Sequence, residues 1–173
     1  MLNVTPSSEN YRIEVRWSDK ESWSDSVNHR DLQGKTVVYE FELTPNGEVN
    51  GTPGISKLKV ALRSQNGGAI LSNICTVTDN VLNFTGVTDT ITLVNGTSYK
   101  IKVVNKYGQD TAAGVRDIYV NGASVATNNA IPGGADVLPS AINDFIRFYE
   151  NGATADFNID DIRVYELTEE EPS

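Results

Sequence analysis

The sequence predicts an all-β domain, a two-sheet antiparallel β-sandwich of jelly-roll type, on three observations. Asn-Gly pairs begin at Asn46, Asn50, Asn66, Asn95, Asn121 and Asn151, and because both residues tolerate positive φ, each pair marks a tight hairpin turn. Apolar and polar residues between them alternate with period two, the pattern of half-buried strands. No stretch carries an amphipathic helical period; Asp136 to Asn143 offers a short helical turn at most.

Taken in order, the first expected strand is Tyr11 to Trp17, with Tyr11, Ile13 and Val15 facing inward and Trp17 closing that series. Thr36 to Leu43 sets Val37, Tyr39, Phe41 and Leu43 against Thr36, Val38, Glu40 and Glu42. Lys57 to Arg63 sets Leu58, Val60 and Leu62 against Lys57, Lys59, Ala61 and Arg63. Further strands are expected at Ala69 to Val77, Val81 to Thr85, Thr90 to Val94, Ser98 to Asn105, Arg116 to Val120, Ala123 to Thr127, Phe145 to Tyr149 and Ala155 to Glu166. Short strands spaced by about 8 to 12 residues are the rhythm of a sandwich. Two irregular stretches, Ser18 to Gly34 and Asn128 to Asn143, are rich in Ser, Asn, Asp, Gly and Pro, and long loops of this kind tend to carry function.

With 173 residues, 39% hydrophobic and 21% charged, the composition is that of one globular core, read as residues 1–167. Thr168 to Ser173 reads as an acidic tail or the start of a linker to a covalently joined neighbouring domain. The net charge of −9 argues against nucleic acid and anionic membrane as partners, both of which reward a basic surface. Apolar runs fall far short of the ~20 residues that span a bilayer. The N-terminus lacks a basic start followed by an apolar stretch, so export would require a signal removed upstream. Cys75, the lone cysteine, forms no internal disulfide and is read as a small buried apolar side chain.

The C-terminal third carries the most distinctive order of residues: Asp117-Ile118-Tyr119-Val120-Asn121-Gly122, a Gly/Pro-rich loop, Phe145-Ile146-Arg147-Phe148-Tyr149, then Phe157-Asn158-Ile159-Asp160-Asp161-Ile162-Arg163-Val164-Tyr165. This resembles the laminin-G-like, concanavalin A-like lectin/glucanase superfamily, whose members pair a "YVNG" hairpin with a closing "IDDVRIY" strand. Gly34 to Leu43 is similar to the inner-sheet strand of such domains. The resemblance covers about two thirds of the chain and implies a closing strand that pairs with the beginning of the chain, and a setting outside the cell or at its surface. Such motifs specify a fold more than a function.

The resemblance also implies a structural calcium ion at Asp160 and Asp161, with Glu14 and backbone carbonyls of the first strand completing the six to eight oxygens that calcium takes. An alternative reading of the same residues is a β-bulge: Phe157 and Ile159 point inward, and Ile162 and Val164 resume inward only if one residue is skipped.

Catalysis has little support. A Glu-x-Asp-x-x-Glu signature is missing, Glu40 and Glu42 share a strand face without a third acid, and the single histidine, His29, lies in a polar loop. Sugar binding calls for exposed aromatic faces and planar polar groups. Trp23, flanked by Ser22 and Ser24, is the better platform, Trp17 belongs with the core, and Tyr107 lies in a tight polar segment. Lys57, Lys59 and Arg63 share one strand face, Lys100 and Lys102 another, with Arg116 and Arg147 on further strands. Neighbouring strands would turn these into a cationic face suited to a uronate or sulfated glycan; the alternative is the ordinary polar exterior of a sandwich. Sequons begin at Asn3, Asn50, Asn83 and Asn95, as chance yields in an Asn- and Thr-rich chain.

The expected function is that of a non-catalytic polysaccharide-binding module, appended to a larger extracellular protein. A structural or adhesive domain of a surface or virion, and a small glycanase or polysaccharide lyase, are the competing readings.

Overall fold

The computed structural model describes residues 2–4, 12–16, 32–47, 54–55, 57–63, 70–109, 113–132, 145–149 and 156–168. Strands appear in the order β1 (Leu2–Val4), β2 (Arg12–Arg16), β3 (Thr36–Pro45), β4 (Lys57–Arg63), β5 (Ile70–Thr78), β6 (Val81–Phe84), β7 (Thr90–Thr92), β8 (Tyr99–Tyr107), β9 (Gly114–Val120), β10 (Ala123–Ala130), β11 (Phe145–Tyr149) and β12 (Phe157–Leu167). They form two antiparallel six-stranded sheets, β1-β12-β3-β8-β9-β10 and β2-β11-β4-β5-β6-β7. The molecule is thus a jelly-roll sandwich with no helix among the described residues. The helical turn considered at Asp136 to Asn143 lies outside them, as do His29, Trp17 and residues 169–173.

The alternation read from the sequence decides which side of each strand is buried. Tyr39, Phe41 and Leu43 of β3, Ile101 and Val103 of β8, and Ile118 of β9 face Leu58, Val60 and Leu62 of β4, Leu82 and Phe84 of β6, and Phe148 of β11, all in one core. Phe41 and Phe148 meet edge-to-face across the sheets, with centroids 5.1 Å apart at 84°, the geometry that ring quadrupoles favour. Asn121 and Gly122 adopt φ of 51° and 80° and turn β9 into β10 as a primed hairpin. Asp79 and Asn80, at 48° and 62°, make the equivalent turn between β5 and β6. The closing strand β12 does pair with the beginning of the chain, Leu2 opposite Ile159 and Val4 opposite Phe157.

One charged group sits between the sheets. Arg116 has no solvent exposure because positions 116, 118 and 120 of β9 share the inward face. Its Nε donates to Asn105 Oδ1 (3.1 Å), one terminal nitrogen to the Asn73 carbonyl (3.0 Å) and the other to Ser72 Oγ (2.8 Å). The chain of bonds continues from Asn105 Nδ2 to the Tyr107 hydroxyl (3.0 Å) and on to Tyr39 (2.9 Å). Burial pushes the Arg116 pKa down to about 10, against the pull of Tyr107 and Tyr39, and it stays charged at neutral pH. Burial likewise raises the Tyr39 pKa well above its ordinary value and the Cys75 thiol to about 12. Cys75 is the inert core residue that its neighbours in sequence suggested.

Candidate functional site

The outward face of the sheet containing β3, β8, β9 and β12 is where polar side chains gather. Period two turns Glu40 and Glu42 out of β3, Lys100, Lys102 and Val104 out of β8, Asp117 and Tyr119 out of β9, and Asp161, Arg163, Tyr165 and Leu167 out of β12. Register then sets them in rows across the strands. One row runs Arg163, Glu40, Lys102, Tyr119; the next runs Asp160, Glu42, Lys100; the row on the other side runs Tyr165, Val38, Val104, Asp117. A groove of about 590 Å³ follows these rows, lined by Glu40, Lys102, Tyr119, Asp161 and Arg163 among others.

Charges alternate in sign along the row of Arg163, Glu40 and Lys102, while the next row sets Asp160 beside Glu42 and Glu42 beside Lys100. Lys102 Nζ lies 3.5 Å from Glu40 Oε1, and the Tyr165 hydroxyl donates to the same oxygen at 3.0 Å. Burial and that bond to Glu40 raise the Tyr165 pKa, so the phenol keeps its proton. Ser98 Oγ donates to Glu42. Arg163 and Asp161, both well exposed, approach to 3.8 Å. Lys106 pairs with Asp117 at 2.6 Å, and the Asn128 amide donates to the same carboxylate at 2.8 Å. Burial pulls the Asp117 pKa upward, but these two donors outweigh it and the net shift is downward. Lys100 forms no ion pair with any described residue.

The acid pair of β12 marks a bulge. Asp160 faces Glu42 and Arg163 faces Glu40, so Asp161 and Ile162 together oppose Phe41, and Asp161 takes φ of 48°. The extra residue restores Ile162 and Val164 to the core side, and Asp160 Oδ1 accepts the Asp161 amide at 2.9 Å. The three-residue calcium set is not brought together. Glu14 belongs to β2 in the opposite sheet, where it pairs with Arg147 (Arg147 Nε to Glu14 Oε1, 2.8 Å). Pairing of β12 with β1 rather than β2 is the reason. Among the described residues no three His, Cys, Asp or Glu side chains converge as metal ligands.

Trp23 lies outside the described residues. Tyr107 is 7% exposed and its hydroxyl is engaged inside the sandwich, so it offers no platform; β8 runs two residues beyond Asn105 and carries Tyr107 inward. The expected basic residues do not all share one face, although Lys57, Lys59, Arg63 and Arg147 come together on the paired strands β4 and β11. Lys57, Lys59, Arg63 and Arg147 belong to the sheet of β4 and β11, Lys100 and Lys102 to the other sheet, and Arg116 is buried between the two. Lys57 is exposed and Lys59 half-buried, while Arg147 is already held by Glu14. Tyr119 and Tyr165 were missed as site residues, although alternation from Ile118-Val120 and from Ile162-Val164 turns both outward.

No protein-family model matches the sequence, and no curated protein does. Solved structures do match in fold. A sialidase superposes on 94% of this chain with a TM-score of 0.58 and 12% identity. The chain spans 15% of the length of that sialidase. The globular domain of calreticulin from T. cruzi matches with a TM-score of 0.52, 8% identity, 95% of this chain and 72% of its own. An endo-β-1,4-glucuronan lyase from the fungus Trichoderma reesei matches with a TM-score of 0.50, 16% identity, 93% of this chain and 76% of its own. These likenesses fit a concanavalin A-like jelly roll.

Proposed function

We propose that this chain is a non-catalytic carbohydrate-binding module, appended to a larger extracellular protein, and that its glycan lies across the groove of β12, β3, β8 and β9. The observation that carries the reading is the groove itself: Tyr119 lines it, Tyr165 projects beside it with its hydroxyl on Glu40, and acceptors (Glu40, Glu42, Asp161) are interspersed with donors (Lys100, Lys102, Arg163). Sugars present the complementary mixture, CH faces for aromatic rings and hydroxyls that both donate and accept. Each groove carboxylate with a bond to a described neighbour is engaged by a cation or a hydroxyl, which suits holding a ligand better than transferring a proton.

The test is a panel of soluble polysaccharides in affinity gel electrophoresis and calorimetry. Tyr119→Ala and Tyr165→Ala should each weaken the best ligand by about 10-fold, roughly 1.4 kcal/mol, with the fold intact by circular dichroism. Absence of binding to every polymer, or full affinity in both variants, would discard the proposal. One observation favours a second reading, a small inverting glycanase: Glu40 and Glu42 project from alternate residues of one strand, roughly 6.6 Å along it, near the carboxylate separation of about 6.5–9.5 Å that such hydrolases use. Reducing-sugar release that disappears in both Glu40→Gln and Glu42→Gln would establish it.

A further inference from the structure

We infer that the groove selects uncharged glycans and excludes polyuronates, an inference that rests on the glycan-binding reading above. The charges lining it are four carboxylates, Glu40, Glu42, Asp117 and Asp161, and three cations, Lys100, Lys102 and Arg163. Lys106 beside Asp117 and Asp160 beside Glu42 add one charge of each sign, so the acids keep a slight excess. Glu40 stands between Arg163 on one side and Lys102 on the other; Lys102 and Arg163 lie 3.5 Å and 3.8 Å from an acid, and Lys100 faces Glu42 on the neighbouring strand. A uronate placed against Lys102 therefore also meets Glu40, and one placed against Lys100 meets Glu42 across the strands. A regular polyuronate presents a carboxylate on every residue and cannot avoid the acidic members of the rows. The net charge of −9 adds repulsion as such a polymer approaches.

Hydroxyl groups meet no such conflict. A lysine donates to a sugar oxygen and the adjacent glutamate accepts from the next hydroxyl, so a neutral chain uses both signs. Two of the ion pairs in the way are long, 3.5 Å for the half-buried Lys102 with Glu40 and 3.8 Å for the exposed Arg163 with Asp161, and they yield to competing partners more readily than the 2.6 Å pair of Lys106 with Asp117. The basic residues Lys57, Lys59, Arg63 and Arg147, which would favour a uronate, belong to the opposite sheet. The cations left in the groove, Lys100, Lys102 and Arg163, have acids interleaved with them.

The experiment compares polyuronates with the same polymers after their carboxylates are reduced to primary alcohols, alongside a panel of naturally neutral polysaccharides, in 20 mM and 300 mM NaCl. The expected result is binding to at least one uncharged polymer that changes less than twofold with salt, and at least tenfold weaker binding to every polyuronate at 20 mM NaCl. The double variant Glu40→Gln/Glu42→Gln should narrow that gap severalfold at 20 mM NaCl. Polyuronate binding by the wild-type chain equal to or tighter than its reduced counterpart overturns the inference while leaving glycan binding in place. Failure to bind any polymer, charged or reduced, overturns both. The wild-type salt series decides the matter even where the double variant does not fold.

Discussion

Arg116 brings a full positive charge into the sandwich and finds there only neutral acceptors: an amide oxygen, a carbonyl and a hydroxyl. Its planar fork addresses all three at once, which an ammonium on a flexible stem cannot. Arg116→Lys should therefore cost roughly 2–4 kcal/mol, since a charge stays buried and acceptors lose their donors. Arg116→Met leaves the same acceptors unpaired but removes the desolvated charge, so it should be the milder change; urea denaturation of the two variants ranks them, and a more damaging Met would refute this account. At Asp117 the folded pKa lies below the unfolded one, so its contribution is complete above about pH 4 and fades as pH falls through the depressed folded value. Asp117→Asn should flatten the acid limb of a stability-against-pH curve while lowering stability at pH 7. Both residues were partly legible. Arg116 alternates with Ile118 and Val120, which places it inward, yet a charged residue is read as surface by default because buried charges are rare.

At the scale of elements, the bulge in β12 is the most informative detail, because the spacing of Ile159 and Ile162 already demanded a skipped residue. Deleting Asp161 should swing Ile162 and Val164 out of the core, or drag the pairing with β3 out of register, and abolish cooperative unfolding. Asp161→Gly should be near neutral because the position has positive φ, whereas Asp161→Val should cost about 1–2 kcal/mol; melting temperatures of the three variants separate these outcomes. Strand existence was readable for every element long enough to show a period. β1 was missed because Leu2–Val4 alternates for three residues only, whereas the equally short β7 fell inside the longer run Thr90 to Val94. That omission mattered, since Tyr11 to Trp17 then stood as the first strand and Glu14 was placed beside Asp160 and Asp161. Alternation reports which way a side chain faces and says nothing about which strand lies alongside.

Among the described residues the basic side chains divide between the two sheets, with Arg116 buried between them, while the chain as a whole carries an acidic excess of nine charges. Colloidal repulsion at neutral pH follows that excess. With a sequence pI near 4.5, solubility measured across pH should pass through a minimum close to that value and recover on either side, and a minimum near neutrality would show that a local patch governs association instead. The neighbour relations behind this distribution arise from contacts between residues far apart in the chain, such as Arg163 beside Glu40. A single sequence holds the faces of its strands but not the order in which a sheet stacks them, and for that reason the groove could not be located beforehand.

β12 lies between β1 and β3, pairing with Leu2–Val4 on one side and with nearly all of Thr36–Pro45 on the other. During synthesis the ribosome releases Phe157–Leu167 after all the other strands, so until then one complete edge of β3 and the whole of β1 have nothing to bond to. The nascent chain must hold that open edge until β12 emerges, and closure of the sheet waits for that strand.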